Sequence, residues 1–511
     1  MRNRDVAEML DRAAQILALR GENRYRIRAY KKAARAVASL DERIDVLVLE
    51  RRLQDLEGVG PALADKIKEI VETGKLAMLE RLETAKLPLA VTNRSILLAS
   101  ALTFSAELLP ALVALPGVKQ TQVVGQTRRR QETVSGLEFV LTVSDMVQAK
   151  KALSAYPYLH QQQWQEDRCL AVHAYGMEIT LYLTAEEKFV QQLWQTTGSA
   201  QHVQKIAALV KEKSGYDLLT AADKEKKCFA TEAEIYALAG LPEIPPELRE
   251  DSGEVEAAQL GQLPHLIEAA DYRGDLHLHT NWSDGTASVE KMVETAVELG
   301  YEYLAITDHS QSLKIARGLS LERLKEQKAF IRSLQNKYNI RIFAGIEADI
   351  LDDGSVDASD EVLAELDVVV ASVHSGFKQS REKITRRICR ALQNPYVHIL
   401  GHATGRLLGK RDPYDVDLAE VLRTAAATGT SLEINSSPDR LDINDQVARQ
   451  ANEAGINVAI NTDAHSQLEL ANVILGLAMA RRGWLEKSDV LNTHSAQELL
   501  HLLRHKSKQR G

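Results

Sequence analysis

Apolar residues recur every three or four positions in VAEMLDRAAQILALR and in IRAYKKAARAVASL, so residues 1–85 are predicted to be helical. Within this stretch, LEGVGPALADKIKEIVETG sets Gly58 and Gly60 around a tight turn and Pro61 where a first helical residue belongs. Residues 86–184 mix two periods. SILLASALTFSAELLPALVAL reads as a helix, whereas QTQVVGQ, LEFVLTV, RCLAVHAY and MEITLYL read as strands. Helical spacing returns over 185–240, and the proline-rich, acidic LPEIPPELREDSGEVEAA (241–258) marks a domain boundary. From 271 onward YRGDLHLH, YLAITDH, RIFAGIE, DVVVASVH, VHILGH, TSLEIN and NVAINTD alternate with helical runs, and seven β-runs so spaced predict a parallel barrel.

Length and composition refine this picture. A chain of 511 residues exceeds one core and calls for about three domains. The expected organisation is 1–85, 86–184, 185–250, a linker at 251–270, and 271–511. Apolar content of 45% with 26% charged residues is that of a soluble protein. No apolar run reaches the ~20 residues a membrane helix needs, and the N-terminus lacks a signal-peptide core. Cys169, Cys228 and Cys389 are far apart and form no CxxC, which fits free thiols in a reducing compartment. A cytoplasmic monomer is therefore expected.

The net charge of −8 argues against a generic polyanion binder, but charge is uneven. Between Arg20 and Arg35 seven basic residues face one acid, Glu22. That surplus, including Arg28, Lys31 and Lys32, suits either phosphate contact or a solvated helix face. The glycine turn also has two readings. It is a helix-hairpin-helix whose Gly58 and Gly60 aim backbone N–H groups at a DNA phosphate, or a plain αα-corner.

The candidate chemistry lies at the ends of the seven β-runs. His277 and His279 are two apart on one strand, so their rings share a face. Asp284 follows in the loop; His309 ends TDH, Glu347 ends AGIE, His374 ends ASVH, His402 lies in LGH, and Asp463 and His465 form TDAH. In a parallel barrel those ends form the active-site face. One histidine at a strand end is ordinarily structural. Six of them, joined by two aspartates and a glutamate, predict a centre of two or three ions with a bridging carboxylate. Such a centre polarises a phosphoryl oxygen and acidifies water, with Asp284, Glu347, Asp463 and His465 as candidate catalytic groups. His398, on the strand of His402, is read as structural.

The strings GDLHLHTNWSDG, AITDHS, GIEAD, SVHSG, GHATGR, EINSSPDRLD and NTDAHS resemble the PHP (polymerase and histidinol phosphatase) family, and all nine of its ligand positions carry a suitable residue. The resemblance implies a distorted (βα)7 barrel around a trinuclear centre of manganese or zinc; a His-rich N/O donor set also accepts iron. It makes Asn435 and Arg440 candidates either for substrate contact or for fixing their loop, and Arg317 and Lys378 candidates for phosphate contacts.

The whole order resembles family X DNA polymerases that carry a C-terminal PHP domain. NRYRIRAYKKAARAV, GVGPALADKI, LPGVKQTQVVGQTRRRQETVSGLEFVL, TTGSAQHVQKIA and IYALAGLPEIPPELREDSGEVEAA carry that likeness. The implied fold is multidomain: an all-α helix-hairpin-helix domain, an α/β nucleotidyltransferase-like palm remnant with a helical thumb, and the barrel. The polymerase's own ligands are not retained. Gly125 is followed by Gln126 rather than Ser, Asp-x-Asp reads Gly136-Leu137-Glu138, and the third Asp position is Thr180. Glycine and threonine cannot hold the two Mg²⁺ ions of nucleotidyl transfer. Only about 45 residues, Leu76 to Gln120, separate hairpin and palm, with no second hairpin. The resemblance also places Lys66 at the family's Schiff-base lysine, either a lyase nucleophile or a solvated helix lysine.

Four functions follow as expectations. The first is a DNA-processing phosphoesterase, a 3′→5′ exonuclease or trimmer of blocked or abasic ends in DNA repair, with polymerase activity lost. The alternatives are a small-molecule phosphatase of the histidinol-phosphatase type, a non-catalytic DNA-end scaffold, and a polymerase using substituted ligands.

Overall fold

The computed structural model describes residues 1–84, 95–219 and 227–508, so the expected boundary at 85/86 lies outside the described residues. Two compact units divide the chain: residues 1–10, 29–74 and 265–511 form one, and 11–28 with 75–264 form the other. Among the described residues no helix is long and apolar enough to cross a membrane.

The N-terminal helices are α1 (Asn3–Leu19), α2 (Arg24–Ala38), α3 (Ile44–Leu49) and α4 (Pro61–Thr73). Pro61 opens α4 after an extended Gly60, and Gly74, left-handed at φ 70°, closes it. Gly58 has φ 84°, and a side chain there would meet the aliphatic stem of Lys32. Buried Leu63, Ala64, Ile67 and Ile70 form the apolar stripe of α4.

The strands, in chain order, begin with the pair β1 (Ile96–Leu97) and β3 (Thr133–Val134) and the sheet strands β2 (Val118–Val124), β4 (Leu137–Val143), β5 (Leu159–Gln165), β6 (Arg168–His173) and β7 (Glu178–Thr184). The sheet runs β2-β4-β7-β6-β5, with β4 and β7 parallel and the other pairs antiparallel. Strand β5 (LHQQQWQ) escapes the sequence reading because its glutamines hide the alternation; at the sheet edge its Leu159 is buried while Gln161, Gln163 and Gln165 are exposed. The thumb that follows contains the helices Phe189–Thr197, Ala200–Ser214, Glu232–Leu238 and Glu254–Gln259. Its core includes polar groups satisfied by one another. Arg249, fully buried, pairs with Glu232 at 2.5 Å, and His202 sits between Glu254 (2.6 Å) and the Tyr236 hydroxyl (2.8 Å).

The barrel strands are β8 (Gly274–Asp275), β9 (Tyr303–Ile306), β10 (Arg341–Asp349), β11 (Val368–Ser372), β12 (Ile399–Leu400), β13 (Ser431–Asn435) and β14 (Val458–Asn461). All pair in parallel, each with its neighbour in sequence. A single bridge between Leu278 and Ala464 brings the first and last strands together, so the expected seven-stranded PHP-type barrel is nearly closed. Strands buried on both faces account for the near-continuous apolar runs. Tyr303, Phe343, Val368, Val370 and Ile399 fill the interior, with Leu499 and Leu503 of the C-terminal helix against them. Intervening helices start at Ser288, Ser320, Ser380, Asp417 and Asn444, each accepting a backbone N–H in its first turn.

Strand β8 is shorter than YRGDLHLH suggests. Beyond Asp275, side chains take over from the ladder: Leu276 N donates to Asn461 Oδ1 (3.2 Å), His277 N to Asp275 Oδ1 (3.1 Å) and Leu278 N to Thr307 Oγ1 (2.9 Å). This frees the chain to turn His277 and His279 into the barrel mouth. Gly274 permits the close pairing, since a Cβ there would lie 2.1 Å from Tyr303 O.

Candidate metal centre

Glu347, at 1% exposure, is the hub of the barrel mouth. Its Oε1 lies 3.4 Å from His277 Nε2, 3.3 Å from His374 Nε2 and 3.0 Å from His402 Nε2. Its Oε2 lies 3.5 Å from His279 Nε2 and 2.7 Å from His309 Nδ1. Asp463 Oδ1 reaches His279 Nε2 at 3.1 Å and His277 Nε2 at 3.8 Å. Asp284 Oδ1 stands 3.5 Å from His309 Nε2 and 3.4 Å from His465 Nε2. All nine positions singled out in the sequence therefore converge at the C-terminal strand ends.

Three groups have ligand atoms close enough to share one ion each: His279, Asp284, His309 and His465; His277, His279 and Glu347; and His309, Glu347 and His374. His402 approaches Glu347 but falls outside these groups. The donor set fits divalent cations on a further ground. Glu347 Oε2 and the Nδ1 atoms of His279 and His309 are buried without a hydrogen-bond partner, although His309 Nδ1 and Glu347 Oε2 are only 2.7 Å apart. Leaving such atoms unsatisfied costs about 1–3 kcal/mol each, a cost that coordination removes. His402 (φ 28°) and Asp463 (φ 53°) hold left-handed backbones, and Asp463 N is anchored on His277 O at 2.9 Å.

Burial and mutual charge set the electrostatics. Burial opposes ionisation of Glu347, but His374, His309 and His277 hold it well below the usual carboxylate range. Burial likewise opposes protonation of His277, His374 and His465. Glu433, Glu347 and Asp463 nevertheless raise His277, Glu347 and Asp349 lift His374 to about 10, and Asp284 and Asp463 lift His465 to about 9. His279 moves the other way, to about 4, through burial and the charges of His309 and His465. Cations held between these groups would replace protons as the counter-charge.

A layer of carboxylates behind the mouth carries no mark in the sequence analysis. Glu433 stands behind His277, Asp349 Oδ1 is 3.2 Å from His374 Nδ1, and Asp275 Oδ2 accepts from Thr462 Oγ1 at 2.5 Å. Asp308 accepts from Thr280 N (2.8 Å), Ser283 Oγ (2.5 Å) and Gln327 Nε2 (2.6 Å), shaping the loop that carries Asp284. Glu433 was findable, being two positions before Asn435 on one strand and so on the same face.

The candidate substrate residues divide. Asn435 is buried, donating to Asp463 Oδ2 at 3.0 Å and accepting Ser437 N at 3.0 Å, so it both touches a candidate ligand and fixes its loop. Arg440 Nε lies 3.5 Å from Asp463 Oδ2. Arg317 and Lys378 are exposed and, among the described residues, make no hydrogen bond or ion pair with the nine. At the hairpin, Lys32 lies against Gly58 and pairs with Glu57 at 2.7 Å, the space beside Gly60 is open, and Lys66 pairs with Glu69 at 3.0 Å. Arg28 is exposed and Lys31 half-buried. His398 is structural as read, its Nδ1 accepting Val369 N at 3.0 Å.

In the palm sheet, Glu138 pairs in register with Thr180. The Glu138 side chain folds back over Gly125 and accepts the Tyr182 hydroxyl at 3.1 Å, and burial raises its pKa. A side chain on Gly136 would meet Glu178 O at 2.7 Å. Among the described residues, none of the candidate ion groups includes Glu138.

Comparison with known proteins agrees with this layout. The helix-hairpin-helix domain family matches residues 1–76, the DNA polymerase beta thumb 192–250 and the PHP domain 275–437. A DNA polymerase/3′-5′ exonuclease PolX of Bacillus subtilis is 33% identical, with 98% of this chain and 99% of that protein covered. A probable phosphatase of Thermoanaerobacter sp. is 28% identical over 43% of this chain and 89% of its own length, and one of Caldanaerobacter subterraneus is 29% identical over 46% and 93%. With helix-hairpin-helix, thumb and PHP barrel matched in that order, and a relative 33% identical over nearly the whole length, this chain belongs to the PolX family, the family X DNA polymerases that carry a C-terminal PHP domain.

Proposed function

We propose that this chain is a metal-dependent phosphoesterase that removes nucleotides or blocking groups from DNA 3′ ends as a 3′→5′ exonuclease in DNA repair, and that it no longer polymerises. The observation that carries this reading is the convergence of six imidazoles and two aspartates with Glu347 at one barrel mouth, while of the three ligand positions expected in the palm only Glu138 is a carboxylate, and it is turned onto Tyr182. The PolX of Bacillus subtilis is named both polymerase and exonuclease; only the second activity has its chemistry here.

In this reading His277, His279, Asp284, His309, Glu347, His374, His402, Asp463 and His465 hold two or three divalent ions, manganese or zinc, with iron also compatible. When bound, such ions supply Lewis acidity to the phosphoryl oxygen and make water nucleophilic at neutral pH. The chain's own residues do the rest. Glu347, whose two oxygens face five of the imidazoles, would be a ligand shared among the ions, while Glu433 and Asp349 orient His277 and His374, and Asn435 and Arg440 hold Asp463. Arg440 also offers a cation to the phosphate. Gly58, Gly60 and Lys32 grip the DNA backbone without reading bases. The enzyme works in the cytoplasm as a monomer.

Small phosphomonoesters are the second reading, supported by the likeness to probable phosphatases. A helix-hairpin-helix and thumb would serve no purpose for such substrates. The test uses purified protein, Mn²⁺ and a 5′-labelled primer-template beside p-nitrophenyl phosphate. Stepwise shortening of the primer is expected. An intact primer in a metal-replete sample, with rapid phosphomonoester turnover, would replace the first reading by the second.

A further inference from the structure

The C-terminal end of α2 lies against the two loops that carry the most open candidate ligands, all within one compact unit. Glu469 joins them: one carboxylate oxygen accepts Arg35 Nε at 2.5 Å, the other accepts the backbone N–H of His465 at 2.8 Å. One turn on, Ser39 Oγ meets Thr286 Oγ1 at 2.8 Å, and Thr286 N donates to His465 O at 2.8 Å. Gln467 Nε2 and Lys291 Nζ donate to the carbonyls of Ala38 (2.9 Å) and Leu40 (2.8 Å). Arg35 is thus held one hydrogen-bonded residue away from His465.

This is also the accessible side of the centre. Asp284 and His465 side chains are 33% and 19% exposed, against 0% for His277 and His279. The Arg35 side chain remains 42% exposed and spends only Nε on Glu469; among the described residues its two Nη groups have no hydrogen-bond partner. Lys31, four residues earlier and so on the same helix face, acts on Asp439 of the neighbouring loop, which also pairs with Lys410 at 2.5 Å. A guanidinium with two free, parallel N–H groups is a receptor for a phosphate.

We propose that Arg35 is a substrate-binding residue of the barrel's phosphoesterase site, taking on its Nη fork a phosphate of the DNA strand next to the one being cut, with Lys31 continuing the cationic track along α2. The inference rests on the DNA-end reading above and deepens it. The N-terminal helices then supply more than a remote DNA grip: they form part of the active-site rim and favour a polynucleotide, which has a neighbouring phosphate, over a compact phosphoester, which has none.

The test compares full-length, Mn²⁺-loaded wild type with Arg35→Ala, Arg35→Gln and Arg35→Lys on a labelled single-stranded oligodeoxynucleotide and on bis(p-nitrophenyl) phosphate. Arg35→Ala and Arg35→Gln should raise the oligonucleotide KM about tenfold with little effect on kcat. The ratio of kcat/KM for oligonucleotide over small diester then falls about tenfold, and Arg35→Lys recovers part of it. The slope of log(kcat/KM) against log[salt] should shrink by about 0.7, one phosphate contact on a single strand. Equal losses on both substrates, or an unchanged salt slope, would show that Arg35 only props the His465 loop and would overturn the proposal while leaving the DNA-end reading intact. A wild type that cleaves the small diester but no DNA defeats both. A thermal unfolding curve unlike that of wild type identifies any variant that fails to fold, and the remaining two then decide.

Discussion

Glu433 Oε1 lies 2.7 Å from His277 Nδ1, and both side chains are fully buried. A carboxylate only accepts, so Nδ1 carries a proton for Glu433, and Nε2, facing Glu347 and Asp463, is left as the atom that a cation would take in place of a proton. The other Glu433 oxygen accepts His402 N at 2.9 Å, so one side chain orients two candidate ligands. Glu433→Gln can donate from its amide and would favour the wrong tautomer. Metal affinity, read by chelator competition, should fall about 10–100-fold, with nuclease activity falling alongside. Unchanged metal affinity would remove Glu433 from this role.

His277→Ala takes away a ligand rather than its support. Nuclease activity should drop by more than about 100-fold, beyond what an orienting neighbour contributes, and elemental analysis should show fewer ions per chain. A fully metallated, active variant would contradict the assignment of His277.

Gly274→Ala forces a Cβ to within 2.1 Å of Tyr303 O. The β8–β9 pairing must give way, with a loss on the order of 1–3 kcal/mol in denaturant melts. Because β8 leads directly to His277 and His279, metal content should fall with it.

His173 gives the palm unit a pH dependence of its own. Burial, with His160 and Arg12 nearby, lowers it from 6.5 to about 4. The unfolded chain therefore takes up this proton first as pH falls. The stability contribution is whole above about pH 6.5, is lost as pH drops toward 4, and changes no further below. The loss is on the order of 3 kcal/mol. His173→Asn removes the titration, so the wild-type minus variant difference in unfolding free energy should fall across that window and stay flat above pH 7.

Primer extension with dNTPs and Mn²⁺ should be absent in a His277→Ala background, where no nuclease can erase the product. Glu138→Gln should leave the nuclease rate within about twofold of wild type. Template-directed extension that Glu138→Gln abolishes would show the palm to be active after all.

The seven apolar runs, the HxH and TDAH pairs and the Pro–Gly punctuation of α4 were legible in the sequence because they depend on local rules: the two-residue period of a strand, the 3.6-residue period of a helix, and the φ preferences of two residue types. The missing palm carboxylates at Gly136 and Thr180 were legible for a different reason, the resemblance to family X polymerases, which says where aspartates are expected. The local rules could not show β5, whose glutamines at a sheet edge carry no apolar alternation. Nor could they pair Glu433 with His277 or Arg35 with Glu469, which lie 156 and 434 residues apart in the chain. Spacing along a strand determines which side chains share a face. Only the closing of the barrel and the seating of α2 against it decide which distant charges meet, because burial and Coulombic attraction act through space and not along the sequence.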